Sequence, residues 1–133
     1  MSQVSRNKLD LKTQNNLLKN FLLVISKLNK EEQAKLFLDD LLTRTEKIVL
    51  AKRLAIALML ESGKSYDEIK DLLKVSSSTI GLVNNQLNNG FGYKLVLKGL
   101  LRPKKQSKDS LLLDFIKSKS SLKSRKRLSY PLR

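Results

Sequence analysis

A chain of 133 residues with 41% hydrophobic content can bury one core, and the absence of Cys and His excludes disulfides, thiolate metal sites and an imidazole general base. Its 27 Lys and Arg against 12 Asp and Glu leave a formal charge of +15, which attracts polyanions: DNA, RNA or an anionic membrane surface. No apolar run reaches the roughly 18 residues needed to span a bilayer, and Met1 to Lys8 lacks the apolar segment of a signal peptide, so the expectation is a soluble cytoplasmic protein, associated with the nucleoid and with no membrane partner.

The first nine residues are polar and read as a flexible start. Leu11, Leu17, Leu18, Phe21, Leu22, Ile25 and Leu28 then recur at three- and four-residue spacing. That periodicity predicts a helix from about Asp10 to Leu28 with an apolar stripe broad enough to be mostly buried. Asn29 with Glu32 predicts the cap of a second helix from about Lys30 to Leu41, striped by Ala34, Phe37, Leu38 and Leu41. Thr43 with Glu46 is a capping box that opens a third helix, Arg44 to about Glu61. From Leu54 to Leu60 this helix is apolar nearly all round, which predicts a central position. Ser62-Gly63 ends it with a glycine terminator.

Residues 64–88 carry the pattern of a helix-turn-helix. Ser65 with Glu68 is a second capping box, and Ile69, Leu72 and Leu73 supply the apolar face of a short helix. Leu73-Lys74-Val75 forms the turn. A further helix opens at Ser76, Ser77, Ser78 and Thr79 and carries Ile80, Val83 and Leu87 on one face. Small hydroxyl residues let a helix approach DNA closely, and Asn can pair with adenine in the major groove. The same pattern would also suit an ordinary αα-hairpin with a polar outer face. Asn88-Asn89-Gly90 ends this helix, with Asn89 or Gly90 free to turn left-handed. Helical periodicity resumes from Phe91 to Leu101, weakened by Gly92 and Gly99, and Arg102-Pro103 breaks it.

Residues 102–133 hold 11 Lys and Arg against 2 Asp and Glu, about +9 of the total. A short apolar patch at Leu111, Leu112, Leu113, Phe115 and Ile116 interrupts this tail, and its Ser/Lys/Arg-rich end predicts disorder. No strand signal and no internal repeat occur. The expected architecture is all-α: residues 1–9 flexible, 10–101 a helical domain and 102–133 a basic tail.

Leu41-Leu42-Thr43-Arg44-Thr45-Glu46, then Ala51-Lys52-Arg53-Leu54-Ala55, then Gly63-Lys64-Ser65-Tyr66-Asp67-Glu68-Ile69, then Val75-Ser76-Ser77-Ser78-Thr79-Ile80 resemble the Trp repressor superfamily, closest to its YerC-like branch. The resemblance covers about residues 17–100. It implies an intertwined all-helical homodimer and regulation of transcription, usually repression, through double-stranded DNA. It also locates a comparison pocket. Where the tryptophan-binding members have a threonine and two arginines around the ligand, this chain has Thr43, Arg53 and Leu82, and Val83 stands where a glycine follows the second arginine. Leucine cannot stack as a guanidinium does, and valine fills the space that glycine leaves open. The pocket is therefore expected to be vestigial, tryptophan is not expected as corepressor, and the effector is unknown. Arg53 can instead pair with Glu46 or Asp67, or clamp a phosphate. Leu82 and Val83 are expected to pack.

The expected activity is sequence-specific DNA binding by a dimer that reads the major groove, with no cofactor and no metal. Ser77, Ser78, Thr79, Gly81, Asn84 and Asn85 are the candidate base readers; Lys64, Ser65, Lys70, Lys74 and Ser76 are the candidate phosphate contacts. Gly81 would permit close approach at roughly 1 kcal/mol of helix propensity. The competing readings are a general or architectural nucleic-acid binder driven by the tail, and the DNA-recognition component of a transposition system. An enzyme is not expected, since no nucleophile stands with a base and no glycine-rich phosphate loop occurs.

Overall fold

The computed structural model describes residues 6–101, and all the regular structure among them is helical. The helices are α1 (Leu11–Ser26), α2 (Glu31–Leu41), α3 (Arg44–Glu61), α4 (Tyr66–Leu73), α5 (Ser77–Asn89) and α6 (Gly92–Leu101). The predicted tail and its apolar patch lie outside the described residues. The chain forms two compact units, Met1–Leu50 and Ala51–Arg133, with the boundary inside α3.

In the first unit, Asp10 caps α1 by accepting from the Thr13 N–H at 3.3 Å, and hydrogen bonding from Thr13 lowers its carboxyl pKa. Lys30, not Asn29, is the N-cap residue of α2, and it makes no side-chain cap bond. The expected Asn29 cap is thus absent; Glu31 and Glu32 instead set negative charge against the helix N-terminus. At α3 the capping box forms as predicted: the Thr43 N–H donates to Glu46 Oε2 at 2.8 Å and the Glu46 N–H to Thr43 Oγ1 at 3.2 Å. The bond from the Thr43 backbone holds the Glu46 carboxyl below its usual range. Asp39 of α2 accepts from Lys35 and from Lys47 of α3, each at 2.7 Å, and these two bonds lower its pKa to about 2.

The broad stripe of α1 departs from expectation, since none of its residues is buried. Leu17, Leu18, Phe21, Leu22 and Leu23 all stand exposed, Phe21 at 47%. No other described residue buries that stripe, which leaves a contiguous apolar face on α1.

The second unit holds the core. Ile56, Ala57, Leu58 and Met59 of α3 are buried together with Ile69 of α4, Ile80, Val83 and Leu87 of α5, and Leu97 of α6. Four consecutive residues at roughly 100° each take in most of a helix circumference, so α3 is enclosed on nearly every side there. Enclosure begins later than the apolar run does, because Leu54 is exposed. Gly63 ends α3 with φ of 81°; its N–H bonds to the Leu60 carbonyl at 3.0 Å and the Lys64 N–H to that of Met59 at 2.9 Å. This is a Schellman motif, and its left-handed residue favours glycine.

Gly90 behaves differently from expectation. It is extended, with φ of −96° and ψ of 161°, and Asn89 remains helical. Glycine is needed there for space: a Cβ would sit 2.7 Å from the Gln86 carbonyl oxygen. Among the described residues, the left-handed non-glycine residue is Lys74, φ 55°, in the turn between α4 and α5.

Candidate nucleic-acid interface

The helix-turn-helix of the sequence is α4, a short turn and α5. The capping box at its start is complete: Ser65 Oγ accepts from the Glu68 N–H at 3.2 Å, and Glu68 Oε2 accepts from the Ser65 N–H at 2.8 Å. Ile69 anchors α4 in the core and Leu72 and Leu73 pack beside it. Lys74 then reverses the chain while its N–H still bonds to the Lys70 carbonyl at 2.9 Å. Ser76 caps α5, its Oγ accepting from the Thr79 N–H at 3.2 Å and lying 3.0 Å from Ser78 Oγ and 2.9 Å from Thr79 Oγ1. At the other end, Lys94 Nζ donates to the Asn88 carbonyl at 3.1 Å, placing a cation at the negative end of α5.

α5 packs against both α4 and α6 through Ile80, Val83 and Leu87. At roughly 100° per residue this row lies within about 60° of helix surface. The opposite side carries Ser78, Leu82, Asn85 and Asn89, with Gly81 on one margin and Gln86 on the other. Of the six candidate base readers, Ser78, Gly81 and Asn85 therefore fall on or beside this outer row. Ser77 and Asn84 lie on one flank, with Asn84 half-buried. Thr79 lies on the other flank and is tied to Ser76. Asn85 Oδ1 accepts from Asn89 Nδ2. Bidentate pairing of Asn85 with adenine would exchange that local bond for base contacts.

The candidate phosphate contacts gather around the turn and the two helix starts. Ser65, Lys70, Lys74 and Ser76 are exposed and Lys64 is half-buried. Both serines hold cap positions, so their side chains already serve the folded chain.

The residues compared with an effector pocket have separate local roles. Thr43, in the first unit, spends its hydroxyl and N–H on the α3 cap. Arg53 is exposed, and the Glu46 carboxylate is engaged by Thr43. Val83 is buried to 2% exposure, as expected of a packing residue. Leu82 is not a packing residue: it is 67% exposed. Two residues from Ile80 is about 200° around the helix, which turns Leu82 away from the core. That signal was present in the spacing of Ile80, Val83 and Leu87, but positional correspondence with the family pocket obscured it. Asn89 was missed on the outer face for a simpler reason, since the helix was expected to end near Leu87; Gln86, inside the expected helix, was not among the candidates.

Among the described residues, no group of three or more acidic, Cys or His side chains could hold a metal, and no helix is long and apolar enough to cross a membrane.

Comparison with known proteins adds two findings. The Trp repressor protein family model matches residues 3–101. A solved structure of a candidate Trp repressor from Staphylococcus aureus is similar to this chain, with 27% identity and a TM-score of 0.61 over 70% of this chain and 95% of that one. No curated protein sequence matches the chain.

Proposed function

The chain belongs to the Trp repressor protein family, a family of DNA-binding transcription regulators, and on that premise we propose that it represses transcription as a homodimer that reads a specific operator without responding to tryptophan. The observation that carries this reading is the outer face of α5. It carries the hydroxyl of Ser78 and the amides of Asn85 and Asn89, with Leu82 among them, on a capped helix whose opposite side is set in the core. Such a helix suits the major groove, where hydroxyls and amides meet base edges.

Lys74 supports the same reading. An L-residue in the left-handed region costs roughly 1–2 kcal/mol, and glycine would relieve that cost. A lysine retained in the turn, close to the N-cap of α5, suits a phosphate contact that fixes the register of the helix on DNA. Lys64, Lys70, Ser65 and Ser76 would share this role.

Dimerisation is supported by the uncovered stripe of α1, together with exposed Leu36 and Leu41 on α2 and Ile48, Val49 and Leu50 on α3. A second copy brings the same stripe and so can cover it by two-fold pairing. The two α5 helices would then lie about 34 Å apart, one turn of DNA. Loss of tryptophan response follows from Leu82 and Val83: the first has no guanidinium to offer and the second fills buried space.

The basic tail favours a second reading, general nucleic-acid binding, and one titration separates the two. The preferred and a scrambled duplex are titrated at several salt concentrations with the full chain, with residues 102–133 removed, and with Asn84→Ala and Asn85→Ala. Tail removal is expected to weaken both duplexes and to flatten the salt dependence by about 0.9 in log–log slope per lost phosphate contact. A head substitution that removes a good base contact is expected to cost about 1–3 kcal/mol on the preferred duplex and little on the scrambled one. If tail removal erased the preference and the head substitutions changed nothing, the architectural reading would replace this one.

A further inference from the structure

The geometry points to Leu82 as a specificity-determining residue that reads the 5-methyl group of thymine; the inference rests on the proposed docking of α5 in the major groove. α5 carries four large aliphatic side chains. Three of them, Ile80, Val83 and Leu87, are buried, and Leu82 alone is turned outward at 67% exposure. It stands in the middle of the row formed by Ser78, Leu82 and Asn85, at the i, i+4 and i+3 spacings that make helix-surface neighbours. Beside it is Gly81, which has no side chain. Ser78, Asn85 and Gln86 around Leu82 all end in polar atoms, so its branched tip is the apolar group presented on that face.

A single exposed leucine needs no explanation on an ordinary surface. On a face otherwise made of hydroxyl and amide groups it has a chemical counterpart. The major groove presents hydrogen-bonding atoms and one apolar group, the thymine methyl. Ser78 and Asn85 can exchange hydrogen bonds with base edges; Leu82 cannot. Pressed against a donor or acceptor it would leave that group unsatisfied, and pressed against a methyl it buries apolar surface at no such cost. The side chain therefore favours thymine at the position it meets and disfavours cytosine, whose amino group would lose its water.

The test begins with the duplex that the full chain selects from a random pool. Each thymine of that duplex is exchanged for uracil, one position at a time, which removes the methyl and preserves base pairing. For the unaltered protein, one position per half-site should weaken binding about fourfold, the equivalent of one buried methyl at about 0.8 kcal/mol. Leu82→Ala should bind the thymine duplex about fourfold more weakly per half-site and no longer distinguish uracil there. Melting curves should match, because the substitution touches no buried residue. If the exchanges cost nothing at any thymine, if the cost persists in Leu82→Ala, or if the selected site specifies no thymine, the role of Leu82 is overturned while DNA reading by α5 stands. A pool that shows no enrichment overturns both.

Discussion

Replacing Gly81 with alanine sets the demands of the folded chain against those of the DNA. Gly81 lies inside the 13-residue helix α5, and a Cβ built on it meets no atom within 4 Å. Packing does not require a glycine there, and in a helix interior glycine is about 0.8–1.0 kcal/mol worse than alanine. Gly81→Ala is therefore expected to stabilise the protein by about that amount. With an unfolding entropy near 2.1 cal/mol/K per residue over a domain of roughly a hundred residues, the melting temperature should rise by about 4–5 °C. If α5 lies against base edges at this point, the same methyl intrudes into the interface, and affinity for the selected duplex should fall while binding to a scrambled duplex is kept. Gly92→Ala supplies the control: its Cβ also meets nothing within 4 Å, but it belongs to α6, so it should leave DNA binding unchanged. Thermal melting by circular dichroism at fixed protomer concentration, with duplex titration of each variant, reads both quantities. A less stable Gly81→Ala would refute the open space above Gly81. A more stable variant that binds the selected duplex undiminished would refute close approach of the helix to the bases there.

Three further outcomes are expected. Phe21→Ala should weaken dimerisation by roughly a hundredfold or more, since each of two copies loses about 1.5–3 kcal/mol of apolar burial; sedimentation at several concentrations measures this, and a monomeric parent protein would end the dimer proposal. The Asp39 carboxyl has its folded pKa lowered from 3.8 to about 2 by Lys35 and Lys47, so its contribution to stability is present above the unfolded value and is lost as pH falls from about 3.8 towards about 2. Melting temperature should accordingly fall less steeply through that window in Asp39→Asn than in the parent. Calorimetry with L-tryptophan should show no saturable binding, and a tight site involving Arg53 would show that neither the missing guanidinium at Leu82 nor the bulk of Val83 prevents binding of the ligand.

Much of the fold was legible because its signals are local. Thr43 with Glu46 and Ser65 with Glu68 each complete a capping box within four residues, so the sequence pattern and the hydrogen bonds are nearly the same statement. Gly63 likewise marks its own left-handed turn. What escaped depends on more distant or unseen partners. Asn29 has the right chemistry for a cap, but the chain enters α2 through Lys30. Gly90 was read for its torsional freedom, whereas its missing Cβ avoids the carbonyl of Gln86 one turn back. The α1 stripe has the period of a buried helix and no covering surface among the described residues; periodicity identifies an apolar face and not what covers it. Of the candidate site, the helix and its cap were legible, and the orientation of individual side chains was less so. Leu82 shows the difference: a residue of core chemistry stands on the outer row because α5 turns by about 100° per residue.

The central claim is that α5 reads base sequence, and selection of bound molecules from a pool of random duplex DNA tests it most directly. The full chain is expected to enrich one two-fold symmetric sequence whose half-sites are centred about 10 base pairs apart, matching two α5 helices one DNA turn from each other. Retention of the pool with no sequence enriched would contradict the claim and leave the basic tail as the source of binding.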